Sequence, residues 1–398
     1  MAIKSADQRF SASNSEMIVG SNTTIGHSIV TRRRLRYTMA FFWLLDGALQ
    51  LQSYMFTKGF ARDIIAPVGS GQPFFIADPV HWNAQLIAHD PVPFNCLFAG
   101  VQLALGLGLL FGRTAKVAIG GSVLWAIGVW CLGEGLGGIA GGHTTALLGA
   151  PGAAALYVVL SFAAWPGRGG TSDDRLSNNP ASWTVYAWSG LWVGFAFLSV
   201  LPANISSKDI GDQLSASAST SPFWLATFDR TLAGSVRSMG PGASVLWVML
   251  ELAIGLLVLR NGASRTWAVW TGFAVTFLFW AAGQSFGELF SGKATDPSTG
   301  PLLMVLGLVV LSAPDLKPVM TLKVRHFVAG LGPGRPRALA AQRGPLGAIL
   351  ATLAAIVAVV PILVMSVKEP GWRRHGGVLM GVQSPARSTG ASASDGIS

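Results

Sequence analysis

Two cysteines in 398 residues leave no disulfide framework to staple a fold and no four-thiolate set for an iron–sulfur cluster. Charge is scarce as well: only 12% of the chain is Asp, Glu, Lys or Arg, against 51% hydrophobic residues and a mean hydropathy of +0.50. A soluble domain carries about 25% charged residues, so this shortage points to the multi-spanning membrane class. No histidine lies within a long apolar run, which argues against a haem held between transmembrane helices. A P-loop, a dinucleotide fingerprint in a strand–turn–helix setting and a Ser/His/Asp signature are also missing.

What is present is a series of apolar runs, each near the ~20 residues that cross a bilayer as a helix. They centre on 37–57, 94–112, 117–138, 149–165, 183–203, 243–260, 266–288, 298–313 and 346–366 and predict an all-α polytopic membrane protein of nine spans. Arg32, Arg33, Arg34 and Arg36 precede the first run; Arg113 and Lys116, Arg168 and Arg175, and Arg260 and Arg265 fill alternate loops, as do the basic residues of 315–345. The positive-inside bias then predicts a cytoplasmic N-terminus and an external C-terminus in the cytoplasmic (inner) membrane. The net charge of +10 is thus a topology signal. Nucleic acid is not an expected partner, because the basic residues are scattered at span ends and form no patch. Residues 1–36 and 368–398 read as polar, disordered tails on the cytoplasmic and external sides.

The chain also echoes itself. Trp192 follows Trp43 by 149 positions, Pro222-Phe223-Trp224 follows Pro73-Phe74-Phe75 by the same interval, and WAIGVWCLGEGLGGIAGG at 125–142 aligns with VTFLFWAAGQSFGELFSG at 275–292. Trp130 thereby matches Trp280, Gly137 matches Gly287, Gly142 matches Gly292, and Pro151 is paired with Pro301. Two four-helix repeats, 37–166 and 183–314, are expected, joined by a cytoplasmic linker at 167–182 and followed by a basic loop at 315–345 and an unpaired ninth span at 346–367. Four spans return the chain to the same side, so the repeats are expected to run parallel.

Long external segments follow the first span of each repeat. In them PFFIADPVHWNAQLIAH and PFWLATFDRTLAG mix aromatic and polar residues at helical spacing and predict surface helices. The Gly- and Pro-rich stretches after spans three and seven predict unwound span ends, which are tolerated at membrane depth only beside protein or a water-filled cavity. An outer-leaflet cavity is expected there.

Of five glutamates, Glu134, Glu251 and Glu288 fall in predicted spans, joined by Asp46. Intramembrane carboxyls are costly and mark function, so these four are the candidate catalytic, proton-handling groups. Gln102 aligns with Glu251, and Glu134 with Gln284, so each repeat is expected to set one Glu beside one Gln amide; a polar clasp between helices is the alternative. Trp280, Gln284 and Glu288 are spaced to share a helix face. Gln102, Gln284, Gln50, Trp130 and Trp280 are the candidate substrate-binding residues. Gly133-xxx-Gly137 and Gly283-xxx-Gly287 read as helix-packing sites. Cys96 and Cys131 are a candidate disulfide or redox pair, or else two buried thiols. His81, His89 and His143 lack tight ligand spacing, so no metal is expected.

The four-span unit resembles the DoxX/DoxD-like membrane protein family, through the acidic or amide residue of the second span, the GEGLGG stretch closing the third and the Gly/Pro-rich loop before the fourth. That resemblance implies a membrane subunit of a quinone-linked oxidoreductase with a sulfur-containing or other small substrate. It would carry over Glu134, Gln102, Gln284 and Glu251. The chain departs from it by its duplication, its ninth span and the lack of an electron-carrying cofactor site. A redox-complex subunit with a partner on the outer face is therefore one expectation, with quinone as the only cofactor suggested. A transporter or channel for a small solute or metal ion is a second, and a membrane anchor for a soluble enzyme a third.

Overall fold

The computed structural model describes residues 29–166, 180–219 and 221–316. The expected ninth span, the C-terminal tail, residues 1–28 of the N-terminal tail, and most of the linker and the basic loop lie outside these residues, while Arg32–Arg36, expected to belong to a disordered tail, open the first helix. Among the described residues every regular element is helical and no strand occurs.

Helix α1 (Arg32–Leu49) begins where Thr31 accepts a hydrogen bond from the Arg34 amide at 3.2 Å, satisfying one of the amides left open at a helix start. After it come three short turns, Ser53–Phe56, Phe60–Ile65 and Ala66–Gly69, and then α2 (Phe74–His89). Next are α3 (Pro91–Leu110), α4 (Ala115–Leu132) and α5 (Ala153–Ala164). The second half runs through α6 (Trp183–Ser199), α7 (Ser207–Ser217), α8 (Phe223–Ser238), α9 (Pro241–Leu257), α10 (Ala263–Leu278) and α11 (Thr299–Leu311). Both expected surface helices are present as α2 and α8, each starting directly after a proline. Helix α7 is an addition to the sequence reading; Ser206 and Asp209 start it with a reciprocal capping box.

Among the described residues three helices are long and apolar enough to cross a membrane: Pro91–Leu110, Ala115–Leu132 and Ala263–Gly283, the last being α10 continued by a π turn. At ~1.5 Å per residue, a helix of about 20 residues matches a hydrocarbon core of about 30 Å. The run read as a span at 149–165 differs from expectation: its helix is Ala153–Ala164, 12 residues, because Gly152, with positive φ, holds the preceding chain out of it. The run at 298–313 is helical over Thr299–Leu311, 13 residues, close to its expected bounds. Both helices are shorter than the ~20 residues that cross a bilayer.

Packing centres on the seam where α5 and α11 meet each other and are flanked by α1 and α6. Trp43 of α1 stacks on Tyr157 of α5 with ring centroids 4.1 Å apart. Trp188 and Trp192 of α6, fully buried, fill the matching region of the second half. Helices α1 and α3 approach so closely that a side chain at Gly106 would meet the Leu44 side chain at 2.6 Å.

Candidate functional site

The chain makes the same turn twice. After α4, Leu136 and Gly137 adopt left-handed backbone (φ 56° and 66°), and after α10 so do Phe286 and Gly287 (φ 56° and 68°). The Trp130 indole donates to the Pro151 carbonyl at 2.7 Å, and the Trp280 indole to the Pro297 carbonyl at 2.8 Å. A Cβ at Gly137 would lie 2.1 Å from the Pro151 oxygen, so both the dihedral and the space require glycine there. Leu136 and Phe286 are non-glycine residues held in left-handed backbone, a conformation that costs of order 1–3 kcal/mol each.

What the turn positions is a side chain. Glu134 accepts from the Ala154 amide at 3.0 Å, capping α5 from a distance, and Gln284 accepts through its Oε1 from the Gly300 amide at 3.1 Å, capping α11. The correspondence of Glu134 with Gln284 therefore has a physical basis, the open amides of a helix start. It also corrects one pairing: Pro151 occupies the place of Pro297, four residues before Pro301. The Gly-xxx-Gly reading changes too. Gly137 and Gly287 lie in the turn, and Gly283 packs on the Leu147 backbone, so these glycines seat loops and not helix pairs.

Beside the first turn is a cavity of about 250 Å³ lined by Asp46, Glu134, Gln50 and Gln102, with Trp43, Phe98 and Trp125 among its walls. Asp296 reaches the same cavity from the loop before α11. Among the described residues no lysine, arginine or histidine lines it. Asp46, 2% exposed, accepts from the Tyr157 hydroxyl at 2.5 Å through one oxygen, while its Oδ1 has no partner among the described residues. Gln50 Oε1 and Gln102 Oε1 are likewise unpartnered. Buried acceptors in this state favour a ligand or solvent that can satisfy them. Leu124 of α4, 75% exposed, also lines the cavity, so the cavity reaches the apolar outer surface of α4.

A second recess of about 470 Å³ adjoins the first. Asp63, Gln284, Glu288, Lys293 and Ser298 line it, and Ile64, Thr295 and Asp296 border both spaces. Asp296 accepts from the Ser298 amide at 2.7 Å and the Thr295 hydroxyl at 2.8 Å. Burial raises its pKa above the ordinary aspartate value, and these two hydrogen bonds offset part of that rise. At the rim Tyr54 donates to Asp63, and chiefly this bond pushes the Tyr54 pKa up to about 12. The Lys293 ammonium sits 4.6 Å from the centre of the Tyr54 ring.

The structure thus brings Asp46, Glu134, Gln50 and Gln102 together and leaves the other candidates elsewhere. Glu251 is buried in the second half, accepting from the Ser199 hydroxyl at 2.8 Å. The Glu–Gln hydrogen bonds expected within each half are replaced: Glu134 bonds Ala154, Glu251 bonds Ser199, and Gln284 bonds Ser298, Gly300 and Ala146. Trp280, Gln284 and Glu288 do not share a helix face, because the helix ends at Gly283 and the left-handed turn intervenes. Trp130 and Trp280 hold turns through their indoles. Cys96 and Cys131 are free thiols with no disulfide between them. Cys96 follows the inward-facing Asn95 by one residue and so projects outward. His81 is half-buried, and His89 and His143 are exposed. Among the described residues no three His, Cys, Asp or Glu side chains are grouped to hold a metal ion.

Sequence reasoning missed Asp296 and Tyr157. The only signal for Asp296 was an acidic residue inside a Gly/Pro-rich loop already marked as unwound. Comparison of the chain with protein-family models, curated proteins and solved structures finds no match. Fold and site together define an all-helical protein with helices able to span a membrane and a carboxyl-lined cavity at its Gly-rich turn.

Proposed function

We propose that the chain is a polytopic inner-membrane protein of two parallel four-helix units, α1/α3/α4/α5 and α6/α9/α10/α11, with a ninth span after them. The repeated turn, with the same indole-to-carbonyl bond and the same capping position, supports this reading. In it the N-terminus is cytoplasmic, the Gly-rich turns and helices α2 and α8 lie at the outer leaflet, and the exposed aromatics Phe74, Trp82, Phe223 and Trp224 rest in the membrane interface.

The first unit binds a small ligand in its cavity, with Asp46 and Glu134 taking and giving up protons as the ligand reacts or moves. One observation carries this: three carboxyl-bearing residues from separate segments converge on one aromatic-walled cavity that, among the described residues, has no basic residue to neutralise them. Leu124 at the apolar surface favours a ligand that enters from the bilayer. A quinone head group in a membrane subunit of a redox complex fits that route, in keeping with the DoxX/DoxD-like resemblance, and a partner on the outer face would supply or remove the electrons. The test is purification from the native membrane in mild detergent, with mass spectrometry of the accompanying proteins and lipids. Enriched quinone that is lost in Asp46→Asn supports the reading; a protein that emerges alone and quinone-free sinks it.

A second reading, proton-coupled movement of a small solute, is favoured by the polar recess that adjoins the cavity. Flux into liposomes abolished by Glu134→Gln would select it.

A further inference from the structure

Resting on this cavity reading, we propose that Asp296 is the proton relay between the buried carboxyls of the first unit and the outer recess. Among the described residues it is the one ionisable side chain that borders both spaces. It shares the lining of the cavity with Asp46, Tyr157 and Glu134, and that of the recess with Asp63, Glu288 and Lys293. Within the cavity, Asp46 is nine-tenths or more buried with an unpartnered oxygen, so the cavity contains a group that needs exchange with a proton or a donor.

The loop is held at this boundary by its own bonds. Gln52, just past the end of α1, donates to the Ala294 carbonyl at 3.0 Å, while the Ser298 amide and Thr295 hydroxyl fix the two oxygens of Asp296. Both fixed oxygens accept, which leaves the carboxyl able to carry a proton without losing its position. The transfer balances simply. An O–H bond on a cavity carboxyl breaks as its proton passes to a water in the cavity and that water gives one up to Asp296, and Asp296 then releases a proton to water in the recess while the cavity group is left ionised. The raised pKa of Asp296 from burial brings it toward the range in which a carboxyl both accepts and releases protons. The residue comes from the second half of the chain, so the first half's cavity is incomplete without the second.

The experiment is a pH jump on the full chain in liposomes, following the carboxyl and carboxylate infrared bands, with Asp46→Asn and Glu134→Gln used to assign the cavity signals. Wild type should re-equilibrate fast, and Asp296→Asn about 100-fold more slowly, the lower end for proton transfer by a positioned side chain. Asp296→Glu should restore most of the rate, which a merely structural role would not do. An unchanged rate in Asp296→Asn overturns the proposal, as does equal slowing in Asp296→Glu. If the asparagine variant does not fold, as judged by its amide bands, Thr295→Val replaces it: the loss of its hydroxyl bond to Asp296 should alter the exchange rate, and no change counts against the relay. Quinone that copurifies with the wild type while the rates stay equal leaves the cavity reading standing and removes the relay. Slowed exchange without any quinone does the reverse to the quinone assignment.

Discussion

Replacing Glu134 by alanine removes the acceptor that the Ala154 amide meets at 3.0 Å. The amide is at the start of a 12-residue helix inside the bundle, where it has no ready access to solvent. An unsatisfied buried donor costs about 1–3 kcal/mol, so Glu134→Ala should lower stability by about 2 kcal/mol, roughly a 30-fold shift in the folding equilibrium. Glu134→Gln should cost less than about 1 kcal/mol, because a neutral amide oxygen can still accept this bond. The second half of the protein already shows the amide in that role, with Gln284 accepting from Gly300 at 3.1 Å. The converse exchange is not symmetric. Gln284 also donates through its Nε2 to the Ala146 carbonyl at 3.1 Å, and a carboxylate there would set acceptor against acceptor. Gln284→Glu should therefore cost about 2 kcal/mol. Equilibrium unfolding in mixed micelles, raising the fraction of dodecyl sulfate and reading tryptophan fluorescence, measures all three. The reasoning fails if Glu134→Gln is as harmful as Glu134→Ala, or if Gln284→Glu is neutral.

Two further outcomes are expected. Tyr157→Phe removes the hydroxyl that donates to Asp46 and should destabilise by about 1–3 kcal/mol in the same unfolding assay, with no change refuting the bond's importance. Asp229 on α8 has its pKa raised by burial from 3.8 to about 6, with a bond from Ser221 offsetting part of the rise. A carboxyl whose folded pKa lies above its unfolded value contributes stability below the unfolded pKa and loses it as pH rises through the folded one. The thermal midpoint should therefore fall between 3.8 and about 6 and level off above, and Asp229→Asn should flatten that slope.

How much of this could be read from the chain follows from where each signal is stored. Local patterns hold well: Pro73 and Pro222 open surface helices, and the glycine clusters at 133–142 and 283–292 end helices in left-handed turns. Glu134 and Asp46 stood out as carboxyls in apolar runs, and both line the cavity. Their partners did not stand out. Tyr157 looks like an ordinary residue of an apolar helix, and its bond to Asp46 spans 111 positions. Asp296 looks like a solvated loop acid, and only the packing of one half on the other takes it to the cavity. The shortness of α5 was hidden for a related reason. Ala and Leu continue on both sides of Gly152, so hydropathy extends the span where the backbone has already turned.

On the duplicated architecture proposed above, the two units differ most where one has a cavity. Phe195 stands at the place of Asp46, Trp247 at that of Phe98, and Phe279 at that of Val129. Phe279 is 1% exposed and packs between Trp247 and Trp192, at 5.4 and 6.4 Å between ring centroids. The second unit thus fills with aromatic rings the space that the first leaves beside its carboxyls. If that space serves a ligand, closing it should remove binding and spare the fold. Val129→Phe makes the test, since Val129 borders the cavity. Adding a ring to a tightly packed core costs about 1–3 kcal/mol, but about 250 Å³ of free volume is room for it, so stability should change by less than about 1 kcal/mol. The variant should unfold like the wild type in the micelle assay and emerge from the native membrane without the small molecule that copurifies with the wild type. A variant that stays folded and keeps that molecule would place the binding site elsewhere. One that loses several kcal/mol would mean that the cavity is smaller in the membrane than its walls imply.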